Sequence, residues 1–144
     1  MKVFPSSKNY IMTSISWIIV VFLLIIPFVP ENEQEVDEVP IVIIAFVYLV
    51  AGMFVWILLD TKYKIKENKL FYCSGPIRGS MKIADIRKIE LWNKWYVTSF
   101  IKPALDKDGM IIHYNKFDDI YISPKEKEKF IAALREINPD IEVV

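Results

Sequence analysis

Few side chains here are suited to bond-making chemistry. The chain has one cysteine, Cys73, and one histidine, His113. A thiol nucleophile needs a base and a third group to orient that base. His113 alternates with Ile112 and Tyr114, which puts it on the solvent side or flank of a strand, and Cys73 reads as packing at a strand edge. One Cys and one His fall short of a zinc ligand set, and a single cysteine excludes an intrachain disulfide. Asp106 and Asp108 beside Gly109 suggest calcium at first sight. A calcium loop needs further oxygen ligands and a closing glutamate at fixed positions, whereas Met110-Ile111-Ile112 follow here. A hairpin turn between Ala104-Leu105 and Met110 is the expectation. No catalytic residue, metal or cofactor is expected, and the chain is not read as an enzyme.

The residues that could bind are cations and aromatics. In Gly75-Pro76-Ile77-Arg78-Gly79 the glycines could let the backbone approach an anion, with Arg78 and Lys82 close by. It is not a nucleotide-type phosphate loop, because Gly-Lys-Ser/Thr is absent; the bland alternative is a strand connection that needs glycine. Lys62, Lys64 and Lys66 alternate with Tyr63 and Ile65 and so share one strand face. They fit contact with anionic lipid, where each basic residue contributes about 1 kcal/mol, and equally a solvated face. Trp92, Trp95 and Tyr96, with Lys94 among them, could stack bases. Residues 60–144 carry 16 Lys or Arg against 13 Asp or Glu, too mild an excess for nucleic acid; core aromatics or a partner interface fit better.

What must position these residues is a chain of two unlike parts. The formal net charge is zero and the mean hydropathy is +0.29, but neither average describes either part. Ile41–Leu59 passes nineteen residues without a charge, and residues 11–29 form a similar run with Thr13, Ser14 and Ser16 near its start and Pro27 near its end. Nineteen helical residues span about 28 Å, close to the hydrocarbon thickness of a bilayer. A signal peptide would show a shorter apolar core and a small-residue cleavage site. Residues 30–39 form an acidic connector bounded by Pro30 and Pro40, with five carboxylates and no base in residues 31–38. Lys2 and Lys8 precede the first run; Lys62, Lys64, Lys66 and Lys69 follow the second. The excess of lysine on that side places both termini and residues 61–144 in the cytoplasm. Trp56 and Tyr63 fit an inner interface belt, and Gly52 with Ala45 and Ala51 offers small surface for packing against the first helix. The expected division is a transmembrane helical hairpin at 1–60 and a cytoplasmic domain at 61–144.

The second part reads as strands and then one helix. Strands are expected at 61–66 and 70–74 around a Glu67-Asn68 turn, then at 81–83, 88–92, 110–114 and 119–122, with residues 93–102 ambiguous. Ser123-Pro124-Lys125-Glu126 has the form of a capping box with proline at the first helical position. Phe130, Ile131, Leu134 and Ile137 recur at helical spacing, and Asn138-Pro139 stops the helix in a left-handed cap.

That order, and the series Tyr63-x-Ile65, Leu70-x-Tyr72, Ser74-Gly75-Pro76-Ile77-Arg78-Gly79, Ile83-x-x-Ile86-x-x-Ile89, Ile120-x-Ile122-Ser123-Pro124 and Leu134-x-x-Ile137-Asn138-Pro139, resembles a bacterial PH-like domain family of uncharacterised membrane-anchored proteins. The resemblance covers roughly residues 61–141. It implies an α+β architecture: a transmembrane helical hairpin, then a small bent PH-like sheet or barrel with one C-terminal capping helix. It supplies no catalytic residue. The function expected is a membrane-tethered module at the inner leaflet that recognises a protein partner or anionic lipid head groups. The competing expectation is an assembly subunit of a membrane complex, or a homo-oligomer, whose hairpin helices do the recognising.

Overall fold

Uncharged apolar sequence with no interior proline forms the two long helices. The computed structural model describes residues 1–29, 40–94, 96, 99 and 101–144; the acidic connector at 30–39 and Trp95 lie outside the described residues. Helix α1 is Tyr10–Ile25, continued by one 3₁₀ turn over Ile26–Phe28 that takes in Pro27, and α2 is Ile41–Leu59. Asn9 caps α1 by accepting from the backbone N–H groups of Ile11 and Met12 at 3.0 and 3.2 Å. A core helix of a soluble protein hides most of its surface. Here only 6% and 11% of the two candidate spans, Tyr10–Phe28 and Ile41–Leu59, is buried inside the chain. The helices pack on each other through Val20 of α1 and Ala51 of α2. Of the three small residues expected at that contact, only Ala51 is buried. Ala45 and Gly52 are exposed, and a Cβ on Gly52 would meet nothing within 4 Å.

The β part is two four-stranded sheets. One has the order β1 (Lys2–Pro5), β2 (Lys62–Lys66), β3 (Lys69–Ser74), β4 (Ile77–Lys82). The other has the order β7 (Asp118–Ile122), β6 (Gly109–Tyr114), β5 (Ile86–Trp92), β8 (Glu142–Val143). All neighbours are antiparallel except β5 and β8. Helix α3 (Lys127–Ile137) completes the fold, which is α+β as expected. The inner faces of both sheets and the apolar stripe of α3 share one core: Phe4, Tyr63, Ile65, Leu70, Met81, Ile83, Ile86, Ile89, Met110, Ile112, Ile120, Ile122, Phe130 and Leu134.

The three-residue spacing of Ile83, Ile86 and Ile89 suits no regular strand. A 3₁₀ turn over Ile83–Asp85 and a bulge between Ile86 and Lys88 resolve it, and all three isoleucines end in the core. Turn chemistry sets register in the first sheet. Glu67 and Asn68 both take positive φ (49° and 61°) in a two-residue hairpin, the backbone twist that matches paired strands.

Four expectations are corrected. Ser123 is not the cap of α3. Its backbone carbonyl accepts from Ser7 N–H at 2.6 Å and its hydroxyl meets that of Ser6 at 3.0 Å, so the chain is still pairing with the N-terminal segment there. The helix starts three residues later than the box implied, with Glu126 at its N-cap and no side-chain capping bond. Asn138 ends α3 in extended backbone and not in the left-handed cap; its amide donates to the carbonyls of Ile83 and Ile86 at 3.0 and 3.1 Å, tying the helix end to the joint between sheets. Leu105 does not pair back onto β6 as a hairpin strand but bridges to Lys8, while Asp106 closes a turn by accepting from Asp108 N–H. Strand β4 begins at Ile77, so Arg78 and Gly79 are strand residues; a Cβ on Gly79 would lie 2.2 Å from the Tyr72 hydroxyl, which crosses it.

The largest departure is β1. Residues 2–5, which precede the first apolar run and for which the sequence alone predicts no element, pair with β2 in the register Lys2↔Ile65, Phe4↔Tyr63, Pro5↔Lys62. Phe4 enters the core and meets Phe130 edge-on at 5.1 Å between ring centroids. Phe4→Ala is therefore expected to cost about 3 kcal/mol or more, read as a lower urea midpoint for the β part of the detergent-solubilised chain. An unchanged midpoint would show that β1 is dispensable to that core.

Candidate functional site

The site is built outward from the place where α2 becomes β2. Thr61 closes the helix by donating its hydroxyl to the Ile57 carbonyl at 2.6 Å, and it also meets the Ser74 hydroxyl at 2.9 Å. Asp60, one residue earlier, gathers three partners. It accepts from Lys62 Nζ, from Arg78 Nη2 at 3.1 Å and from Cys73 Sγ at 3.2 Å. Arg78 also donates Nε to the Gly75 carbonyl at 3.0 Å and lies over Trp56, 5.5 Å from the ring centroid. Hydrogen bonds from Lys62 and Cys73, then the charges of Lys62 and Arg78, hold the Asp60 carboxyl down at about 2. Desolvation and then the Asp60 carboxylate push the Cys73 thiol up, so this thiol is a weak nucleophile.

From that joint the outer face of the first sheet runs away in cross-strand rows. The first row is Pro5, Lys62, Cys73 and Arg78; the second is Val3, Lys64, Phe71 and Ser80; the third is Lys66, Lys69 and Lys82. Rows are about 7 Å apart and neighbours within a row about 5 Å apart. The expected cations Arg78, Lys82, Lys62, Lys64 and Lys66 thus share one face, and the structure adds Lys69. Their states differ. Lys62 and Arg78 are paired to Asp60, and Lys66 lies 3.3 Å from Glu67. Among the described residues, Lys64, Lys69 and Lys82 make no ion pair. Three lysines in register repel one another, and exposed Phe71 and Val3 sit among the cations.

The aromatic candidates form a separate cluster at the end of β5. Trp92 donates Nε1 to the Tyr96 carbonyl at 2.7 Å, and the rings meet edge-on at 5.9 Å. Lys94 Nζ lies 4.8 and 5.7 Å from their centroids. Cys73 and His113 lie on different sheets; His113 Nε2 is 3.5 Å from Glu90. Asp106 and Asp108 are engaged by Ser7 and Lys127. No group of three or more metal-ligating side chains occurs among the described residues.

Sequence reasoning missed Asp60 and Lys69. Asp60 could have been found as the one acid between an apolar run and a Lys-x-Lys-x-Lys strand. Lys69 follows from extending β3 by one residue toward its turn.

Two small sheets, a C-terminal helix filling their shared core and a basic outer face define a PH-like domain, here carried on two candidate membrane-spanning helices. Residues 61–138 match the Bacterial PH domain family, and the chain belongs to that family. It is 26% identical over 122 residues to the uncharacterized protein YyaB of Bacillus subtilis (strain 168), across 81% of this chain and 77% of that one. No solved structure matches the chain significantly.

Two outcomes follow for the joint. Asp60→Asn is expected to lower the Cys73 pKa and raise its alkylation rate at pH 8, because it removes the carboxylate whose hydrogen bond and charge push the thiol up; an unchanged or slower rate would disprove the contact. The Asp60 carboxyl is held below its ordinary 3.8 in the fold. Its contribution to stability is complete above that value and is lost as pH falls from about 4 to about 2. The thermal midpoint is expected to drop more across that interval in the native chain than in Asp60→Asn.

Proposed function

We propose that this chain is a membrane-tethered binding module whose basic sheet face takes an anionic surface at the inner leaflet, with anionic lipid head groups first and an acidic segment of a membrane protein second. The observation that carries this reading is the lysine face on a sheet whose strands β1 and β2 run directly into α1 and α2. Lys66, Lys69 and Lys82 stand opposite one another at a cost to the free domain, and an anion converts that cost into binding. Both helix ends that meet the sheet lie on one side, as two spans require. Lysine flanking α1 and α2, set against an acidic connector, supports a cytoplasmic β part and cytoplasmic termini. Asp60 already pairs with both cations of the row nearest the helices. The unpaired cations lie about 7 to 13 Å farther out along the strands, and this separation keeps the protein partner as the second reading. The Trp92–Tyr96 cluster, with Leu91 exposed beside it, is where such a partner would find apolar contact.

A reading from a different class is helix-mediated assembly, favoured by the exposed Gly52 and Ala45 of α2.

Hydrogen exchange of the full chain in nanodiscs decides between these. Stronger protection of residues 62–82 with anionic than with neutral lipid is expected, and Lys64→Glu with Lys69→Glu should abolish the difference. Equal exchange in both lipids would remove the lipid reading.

A further inference from the structure

We propose that the β3–β4 turn, Gly75-Pro76-Ile77, is a third membrane contact, seated in the boundary between head groups and acyl chains beside the last turn of α2. The proposal rests on the reading of α1 and α2 as spans.

The turn does not merely lie near the membrane end of the domain. It is level with the apolar part of the helix. Gly75 has φ +56° and is pressed against Ile57: a Cβ there would lie 2.7 Å from Ile57 Cγ1 and 3.2 Å from its backbone N. Ile57 lies inside the uncharged run, two residues before Leu59 and three before Asp60. A helix rises about 1.5 Å per residue, so the turn sits about 4 to 5 Å deeper than the first charge. Beyond Gly75, the exposed side chains at the tip are Pro76 and Ile77, and Ile77 keeps 46% of its surface uncovered. Exposed Trp56 and Leu59 of α2 continue the same apolar surface.

The polar groups of the turn suit that depth. Pro76 has no N–H to leave unpaired. The Gly75 carbonyl accepts from Arg78 Nε at 3.0 Å, and the Ser74 hydroxyl pairs with Thr61. Backbone left unsatisfied would be excluded from hydrocarbon; these bonds remove much of the obstacle. Arg78 then leads outward, its guanidinium stacked over Trp56 and bonded to Asp60. An apolar stem with the charge turned toward the head groups is how arginine behaves at an interface, and tryptophan concentrates at the same level. Two helices alone leave the β part free to rock about their common axis; an inserted turn supplies a third point and defines a plane.

The test uses the full chain with Cys73→Ser, reconstituted in nanodiscs of mixed neutral and anionic lipid. Spin labels are placed singly through Ile77→Cys, Leu49→Cys and Lys82→Cys, all at exposed positions, and oxygen and nickel-chelate accessibility is read by power saturation. The expected result is oxygen-rich, nickel-poor behaviour at 49, the reverse at 82, and an intermediate depth at 77. A label at 77 as open to nickel as that at 82, with 49 still in lipid, would overturn the inserted turn and leave the spans intact. A label at 49 open to nickel would overturn the spans, and the inserted turn with them.

Discussion

The antiparallel pairing of β1 with β2 governs the rest of the molecule. Pro5 faces Lys62, and Ser6 N–H donates to the Thr61 carbonyl at 3.2 Å, at the end of the sheet from which both helices depart. One strand leads into α1 and the other comes out of α2. A hydrogen-bonded pair cannot slip by one residue without turning Phe4 and Tyr63 out of the core. The spacing and rotation of the two helices at their base are therefore set by sheet register, and the β part is joined to the helices through two chain segments.

Tyr63 shows how tightly this base is tied to the remainder. Its side chain is wholly buried, and its hydroxyl donates to the Pro103 carbonyl at 2.6 Å and accepts from Ser123 N–H at 3.0 Å. The first bond reaches the segment before β6 and the second the entry to α3. Burial raises the phenol's pKa above its ordinary 10.0, so it is a donor at neutral pH. Beside it, Ser6 and Ser123 exchange hydroxyl contact. A buried polar cluster of this kind is stable only when every member is satisfied, and here four distant parts of the chain meet to satisfy it.

At the opposite face of β2 the physics is electrostatic. Asp60 absorbs the two cations nearest the helix end and a thiol, Lys66 meets Glu67, and among the described residues Lys64, Lys69 and Lys82 make no ion pair. Three lysines side by side repel one another at a cost to the free domain, and the anionic surface proposed above would offset that cost. The same sheet thus has an inner side organised by burial and an outer side organised by charge, as the two-residue period of a strand allows.

The sequence alone determined whatever depends on local pattern. Long uncharged runs make helices with apolar surfaces, alternation makes strands with a basic side, and the 3.6-residue period of Phe130, Leu134 and Ile137 makes α3. The shared face of Lys62, Lys64 and Lys66 was legible for that reason, as was the stop at Asn138. Tertiary structure decided whatever depends on residues far apart. That Lys2–Pro5 is a strand follows from an edge at Lys62–Lys66 to pair with. That Ser123 is a junction and not a cap follows from Ser6 and Ser7 reaching it first. The gathering of Lys62, Cys73 and Arg78 on Asp60 depends on the β3–β4 turn closing against Ile57. A backbone group or a charge takes the partner that folding brings to it, and only the three-dimensional path of the chain says which partner arrives.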